Sequence, residues 1–203
     1  MYEQLLYPQK HPVRIVIFVL GALLLPFSFF DLSIRDGAFT FAWSFDLIAF
    51  AASIMLSLTY FFPAEKFHYQ NLPYLLVLVM EFMHFGSVTL LNNEIPFVSY
   101  ILSAYFVLGA VGTAFVFHFV AEGKIRSRLP MILWPSILIF LATVSLIVGF
   151  PPLGVYTDVN EGVFVRNISG YIRFVLFYSA PILVGAVMKS DHFPKKEKKK
   201  KQK

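Results

Sequence analysis

Apolar runs long enough to cross a bilayer occupy nearly the whole chain, and no other feature restricts its fold as much. A membrane span takes about 20 mainly apolar residues. Six such runs can be read along the 203 residues: about Val13–Phe30, Phe39–Phe62, Leu72–Leu91, Phe97–Ala121, Leu129–Phe150 and Ile168–Met188. Only 14% of the residues are charged, against about one quarter in an ordinary soluble domain. Too few polar side chains remain to cover a water-facing surface. The expected fold class is therefore all-α, a polytopic integral membrane protein with six transmembrane helices. Residues 1–190 form the transmembrane domain, and 191–203 a disordered polylysine cytoplasmic tail.

The basic residues assign an orientation, because they favour the cytoplasmic ends of spans. With the N-terminus inside, 14 of the 17 basic residues fall on the inner side: Lys10, Arg14, Lys66, Lys124, Arg126, Arg128, Lys189 and the seven lysines between Lys195 and Lys203. The outer loops hold only Arg35 and Arg166, and Arg173 lies within the sixth run. Both termini are thus expected in the cytoplasm. The tail "KKEKKKKQK" repels itself and has nothing apolar to fold around. It is expected to meet anionic lipid headgroups. Lacking the aromatic platforms that stack bases, it gives no reason to expect a nucleic-acid partner. The expected partners are the lipid bilayer and a membrane or cytosolic protein. The expected location is a multi-pass protein of the plasma or inner membrane, or of the endoplasmic reticulum in a eukaryotic host.

Against this apolar background a few polar residues stand out. "LVMEFMHFGS", from Leu78 to Ser87, places Glu81 and His84 three residues apart, hence on one helix face. An ionisable group deep in a bilayer costs roughly 2.5–3.5 kcal/mol on insertion scales, and such groups usually face the bundle interior and pair there. Taking six helical spans, Asp46, Glu81, His84 and Arg173 all fall in the outer half of the membrane. Trp43 extends the Asp46 face and Asn92 the Glu81 face, while Ser169 and Arg173 share a face at i, i+4. The candidate ligand-binding residues are therefore Asp46, Glu81, His84, Arg173, Trp43 and Asn92. A purely structural ion-pair network fits the same residues. His118 stands apart, one turn before Glu122 near the inner end of the fourth run.

Chemistry is mostly excluded. The chain has no cysteine, so disulfides, thiolate metal sites and cysteine nucleophiles are ruled out. One Glu-x-x-His is half of a di-iron pattern, which needs two and further glutamates. No His-Glu-x-x-His, phosphate-binding glycine loop or Gly-x-Ser-x-Gly elbow is present. No metal or cofactor is expected, and no catalytic residue can be named. Six spans with an outward-facing polar cluster resemble, in size and orientation, the substrate-binding subunits of energy-coupling-factor vitamin transporters. The alanine-spaced docking pattern of that family is missing from the first run, which has a lone Gly21-Ala22. The leading expectation is a protein that binds or transports a small molecule through an outward-facing polar pocket. The alternatives are a non-catalytic membrane assembly or sensory protein, and a lipid-modifying enzyme using Asp46, Glu81 and His84.

Overall fold

The structure, a computed structural model, describes residues 12–61, 67–91, 97–148 and 166–187. It is mostly helical. The described elements are α1 (Pro12–Leu24), β1 (Phe30–Arg35), β2 (Ala38–Trp43), α2 (Leu47–Thr59), α3 (Leu72–Leu91), α4 (Phe97–Ala121), α5 (Leu129–Val148), β3 (Arg166–Asn167) and α6 (Ile168–Val187). Short 3-10 turns at Pro26–Ser28 and Phe67–Asn71 lead into β1 and α3. The polylysine tail and Asn92 lie outside the described residues.

The helices pack as a ring in chain order. Each lies against the next, and α6 returns to α1. Among the described residues, a cluster of aromatic side chains packs inside the ring. Tyr74 of α3 stacks within 4.6 Å of Phe177 and 5.8 Å of Phe117, and Phe174 lies 4.5 Å from Tyr178. Tyr74 is fully buried and its hydroxyl donates to the Phe177 carbonyl at 3.4 Å. On α4, Ala110 and Thr113, three residues apart on one helix face, are both buried. α1 and α2 approach closely. At Gly21 the space for a side chain is already taken by Ser57 and the Ser53 carbonyl.

Two expectations need correction. The first run stops short of Phe30: α1 ends at Leu24, and Pro26, lacking an N–H and with φ fixed, opens a 3-10 turn. The second run is not helical from Phe39. Phe30–Arg35 and Ala38–Trp43 form an antiparallel hairpin closed at Asp36-Gly37, with φ of 51° and 80°. Two positive φ values define the turn that matches strand twist, and Asp-Gly is among its favoured sequences. α2 therefore begins only at Leu47, and the chain is not all-α. Strand β3 pairs with β1, giving the sheet order β2-β1-β3.

Among the described residues, Leu129–Val148 and Ile168–Ala186 are the helices long and apolar enough to cross a membrane. α1 and α2, at 13 residues each, are about 20 Å long.

Candidate functional site

The polar cluster forms where the sheet meets the helix ends. Asp46 is the N-cap of α2, not a residue within a span. Its Oδ1 accepts from the backbone N–H groups of Ile48 and Ala49, each at 3.0 Å. Those N–H groups have no partner inside the helix, which is why Asp is favoured here. The Asp46 N–H donates to the Ser28 carbonyl at 2.9 Å, and the Ser44 N–H to the Phe29 carbonyl at 3.2 Å. The base of the hairpin is thereby pinned to the 3-10 turn.

Arg173, on the second turn of α6, reaches into this corner. Its Nη1 lies 2.9 Å from Asp46 Oδ2 and donates to the Phe27 carbonyl at 3.2 Å, and its Nη2 lies 3.3 Å from Asp31 Oδ1. Asp31 Oδ2 accepts from the Ser44 hydroxyl at 2.9 Å. One turn before Arg173, the buried Ser169 hydroxyl accepts the Leu32 N–H at 2.6 Å. Ser169 and Arg173 thus do share a face, and that face holds the sheet. The Arg173 side chain is 13% exposed and those of Asp31 and Asp46 30% each, so the cluster is shielded on the cation and partly open on the acids.

The structure unites Arg173 and Asp46 and leaves Trp43 out. Trp43 lies on a strand, not on a helical stripe with Asp46. It pairs with Phe30 across the hairpin, on the opposite sheet face from Asp31, and is 80% exposed. Glu81 and His84 are in α3 as expected, but their side chains are outside the described structure, as is Asn92. Asp31 went unrecognised because it sits in what reads as the end of an apolar span. The signal that would have found it is the alternation of Phe30, Leu32, Ile34 with Asp31, Ser33, Arg35, followed by Asp36-Gly37.

Two other polar groupings occur. At the C-terminal end of α4, Glu122 bridges His118 at 3.2 Å and Lys124 at 2.6 Å, with Lys124 over the Phe119 ring. Ahead of α3, Gln70 Oε1 and Asn71 Oδ1 are buried and find no hydrogen-bond donor among the described residues. Among the described residues, no group of three His, Asp or Glu side chains comes together to hold a metal ion. Compared with protein families, curated proteins and solved structures, the chain matches none.

Proposed function

We propose that the chain is a small, non-catalytic integral membrane protein with six spans and both termini cytoplasmic, serving assembly or sensing, with the sheet as its rigid outer cap. What supports the membrane reading is the outward surface of the ring. All six helices carry exposed large apolar side chains, among them Phe18 on α1, Leu58 on α2, Met83 on α3, Leu108 on α4, Phe140 on α5 and Leu183 on α6. Apolar patches of this extent mark a surface that water does not cover. On α5, Leu133, Ile137, Phe140 and Ile147 follow one helical stripe.

The observation that carries the non-catalytic reading is the use made of Arg173. Its donors go to the carboxylates of Asp31 in β1 and Asp46 at the start of α2 and to the Phe27 carbonyl in the 3-10 turn, so the cation joins these elements to α6. Tyr74, Phe117, Phe174, Phe177 and Tyr178 pack against one another inside the ring. A second reading, small-molecule binding at the outer face, is favoured by the charge of the cluster. Among the described residues the cluster holds two acids and one cation, and both acids are partly exposed. A cationic ligand suits such a site.

Two measurements test these readings. Reporter fusions after Met188 and within Pro151–Asn167 should fall on opposite sides of the membrane; an outer C-terminus defeats the orientation. Native mass spectrometry of the purified protein should show no bound metabolite beyond lipid. A stoichiometric small cation, lost on Asp31→Asn, favours the second reading over the first.

A further inference from the structure

The hairpin has two unlike faces. Residues opposite one another in an antiparallel pair share a face, and the register pairs Phe30 with Trp43, Leu32 with Phe41 and Ile34 with Phe39. One face is therefore wholly apolar. The other carries Asp31, Ser33, Arg35 and Thr40. On the apolar face Phe39 is 72% exposed and Trp43 80%, and Phe41 packs against Phe30 and Trp43 at 5.7 Å each. The exposed stripe does not stop at the strand. Phe45 and Leu47 continue its alternation, and Ile54 and Leu58 carry it along α2, at helical intervals of seven and four.

We propose that the apolar face of this hairpin lies in the outer interfacial layer of the bilayer, with Phe39, Phe41 and Trp43 against lipid. The inference rests on the membrane reading above and adds where the cap sits. Three arguments select lipid as the occupant. First, the stripe is continuous with the outward face of α2, so both meet the same surroundings. Second, α2 is about 20 Å long where the bilayer with its interfacial layers is about 40–45 Å thick, which leaves an interfacial layer beyond the start of α2 for the strand that precedes it. Third, the edge of β2 fixes the depth. Arg35 and Ala38 flank a two-residue turn and bond to each other, so the N–H and C=O groups of Phe39, Phe41 and Trp43 point away from β1. No described strand pairs with that edge. Open sheet edges do not occur within the hydrocarbon region, whereas the interface offers water to the backbone and suits Trp and other aromatic rings.

The absence of cysteine in the sequence permits a direct test by single spin labels, in vesicles of phosphatidylcholine and phosphatidylglycerol. Labels are placed by Phe39→Cys on the apolar face, Thr40→Cys on the polar face, and Ile137→Cys on α5. Phe41→Cys and Ala42→Cys give a second pair if either hairpin variant folds poorly. The expected result is that the Phe39 label collides more with dissolved oxygen than with a water-soluble nickel complex, and that the Thr40 label shows the reverse. An Ile137 label open to nickel defeats the membrane reading. With Ile137 in lipid, equal nickel access at Phe39 and Thr40 overturns the inference alone. So does a Phe39 label shielded from both reagents with spin–spin broadening, which assigns the face to a second copy of the chain.

Discussion

Arg173 and Asp46 form an ion pair of 2.9 Å in which the acid is also the N-cap of α2. A single carboxylate thus orders a helix start with one oxygen and fastens it to α6 with the other. Asp31 completes the clasp from β1. Removal of Arg173 leaves two partly buried acids facing each other. Arg173→Ala is expected to destabilise the protein by about 3 kcal/mol, the low end for a broken buried pair because the acids are partly exposed. Arg173→Lys should recover only part of this, since an ammonium lacks the planar fork that reaches several acceptors at once. Thermal unfolding followed by tryptophan fluorescence measures both. Unchanged stability in Arg173→Ala would remove the clasp from the account.

The two roles of Asp46 can be separated. Asp46→Asn keeps an oxygen for the Ile48 and Ala49 N–H groups and loses the charge; Asp46→Ala loses both. The alanine variant should be the less stable by about 1 kcal/mol, the usual worth of an N-cap. Combining each with Arg173→Ala gives a double-mutant cycle. Coupling to Arg173 should appear in the asparagine cycle and be absent from a control at Thr40, on the sheet but away from Arg173.

The parts of this arrangement that sequence made legible are those with a strong period or a long run. α3 and α4 match their expected bounds residue for residue, and α5 and α6 match their starts, because each is a long apolar stretch bounded by polar or Pro-containing segments. That Arg173 would reach one of the acids Asp46 and Glu81 followed from the energetics of an arginine among apolar residues; that the acid is Asp46 did not. The hairpin was hidden by its own composition. Phe39–Trp43 is as apolar as a span, and hydropathy does not separate period two from period 3.6 over so few residues. The alternation across Phe30–Arg35 and the Asp36-Gly37 turn signal break the tie. Misreading that segment displaced Asp46 from a helix start into a helix, put Trp43 on its face, and hid Asp31. Convergence of Glu81 and His84 on the clasp is a tertiary question, which the spacing within α3 does not decide.

The α1–α2 contact predicts a small-residue requirement. A side chain at Gly21 would come within 2.5 Å of Ser57 Oγ, 2.7 Å of the Ser57 nitrogen and 2.8 Å of the Ser53 carbonyl oxygen. The last two belong to backbone and cannot turn aside, so the helices must part. Gly21→Ala is expected to cost about 1–3 kcal/mol through overpacking. Gly21→Leu should prevent folding. Comparing the melting temperatures of Gly21→Ala and Ala22→Gly, at the neighbouring exposed position, separates crowding from helix propensity. An alanine at 21 that stabilises would show that α1 and α2 do not touch there.

Gly37 tests the hairpin without touching its packing. Its φ is +80° and no atom lies within 4 Å of where a side chain would begin, so any effect of substitution there comes from the backbone alone. A left-handed conformation costs a residue with a Cβ about 1–2 kcal/mol. Gly37→Ala should therefore loosen the turn, whereas Gly37→Asn, with a side chain that tolerates this region, should cost less. Because β1 carries Asp31 to Arg173, loosening should travel from the tip to the clasp. The measurable sign is faster amide hydrogen exchange at Ala38 and Thr40, whose N–H groups face β1. A smaller increase is expected at Leu32, whose N–H is held by Ser169. Equal protection in the alanine variant and the parent would mean that the strands keep their register without the turn.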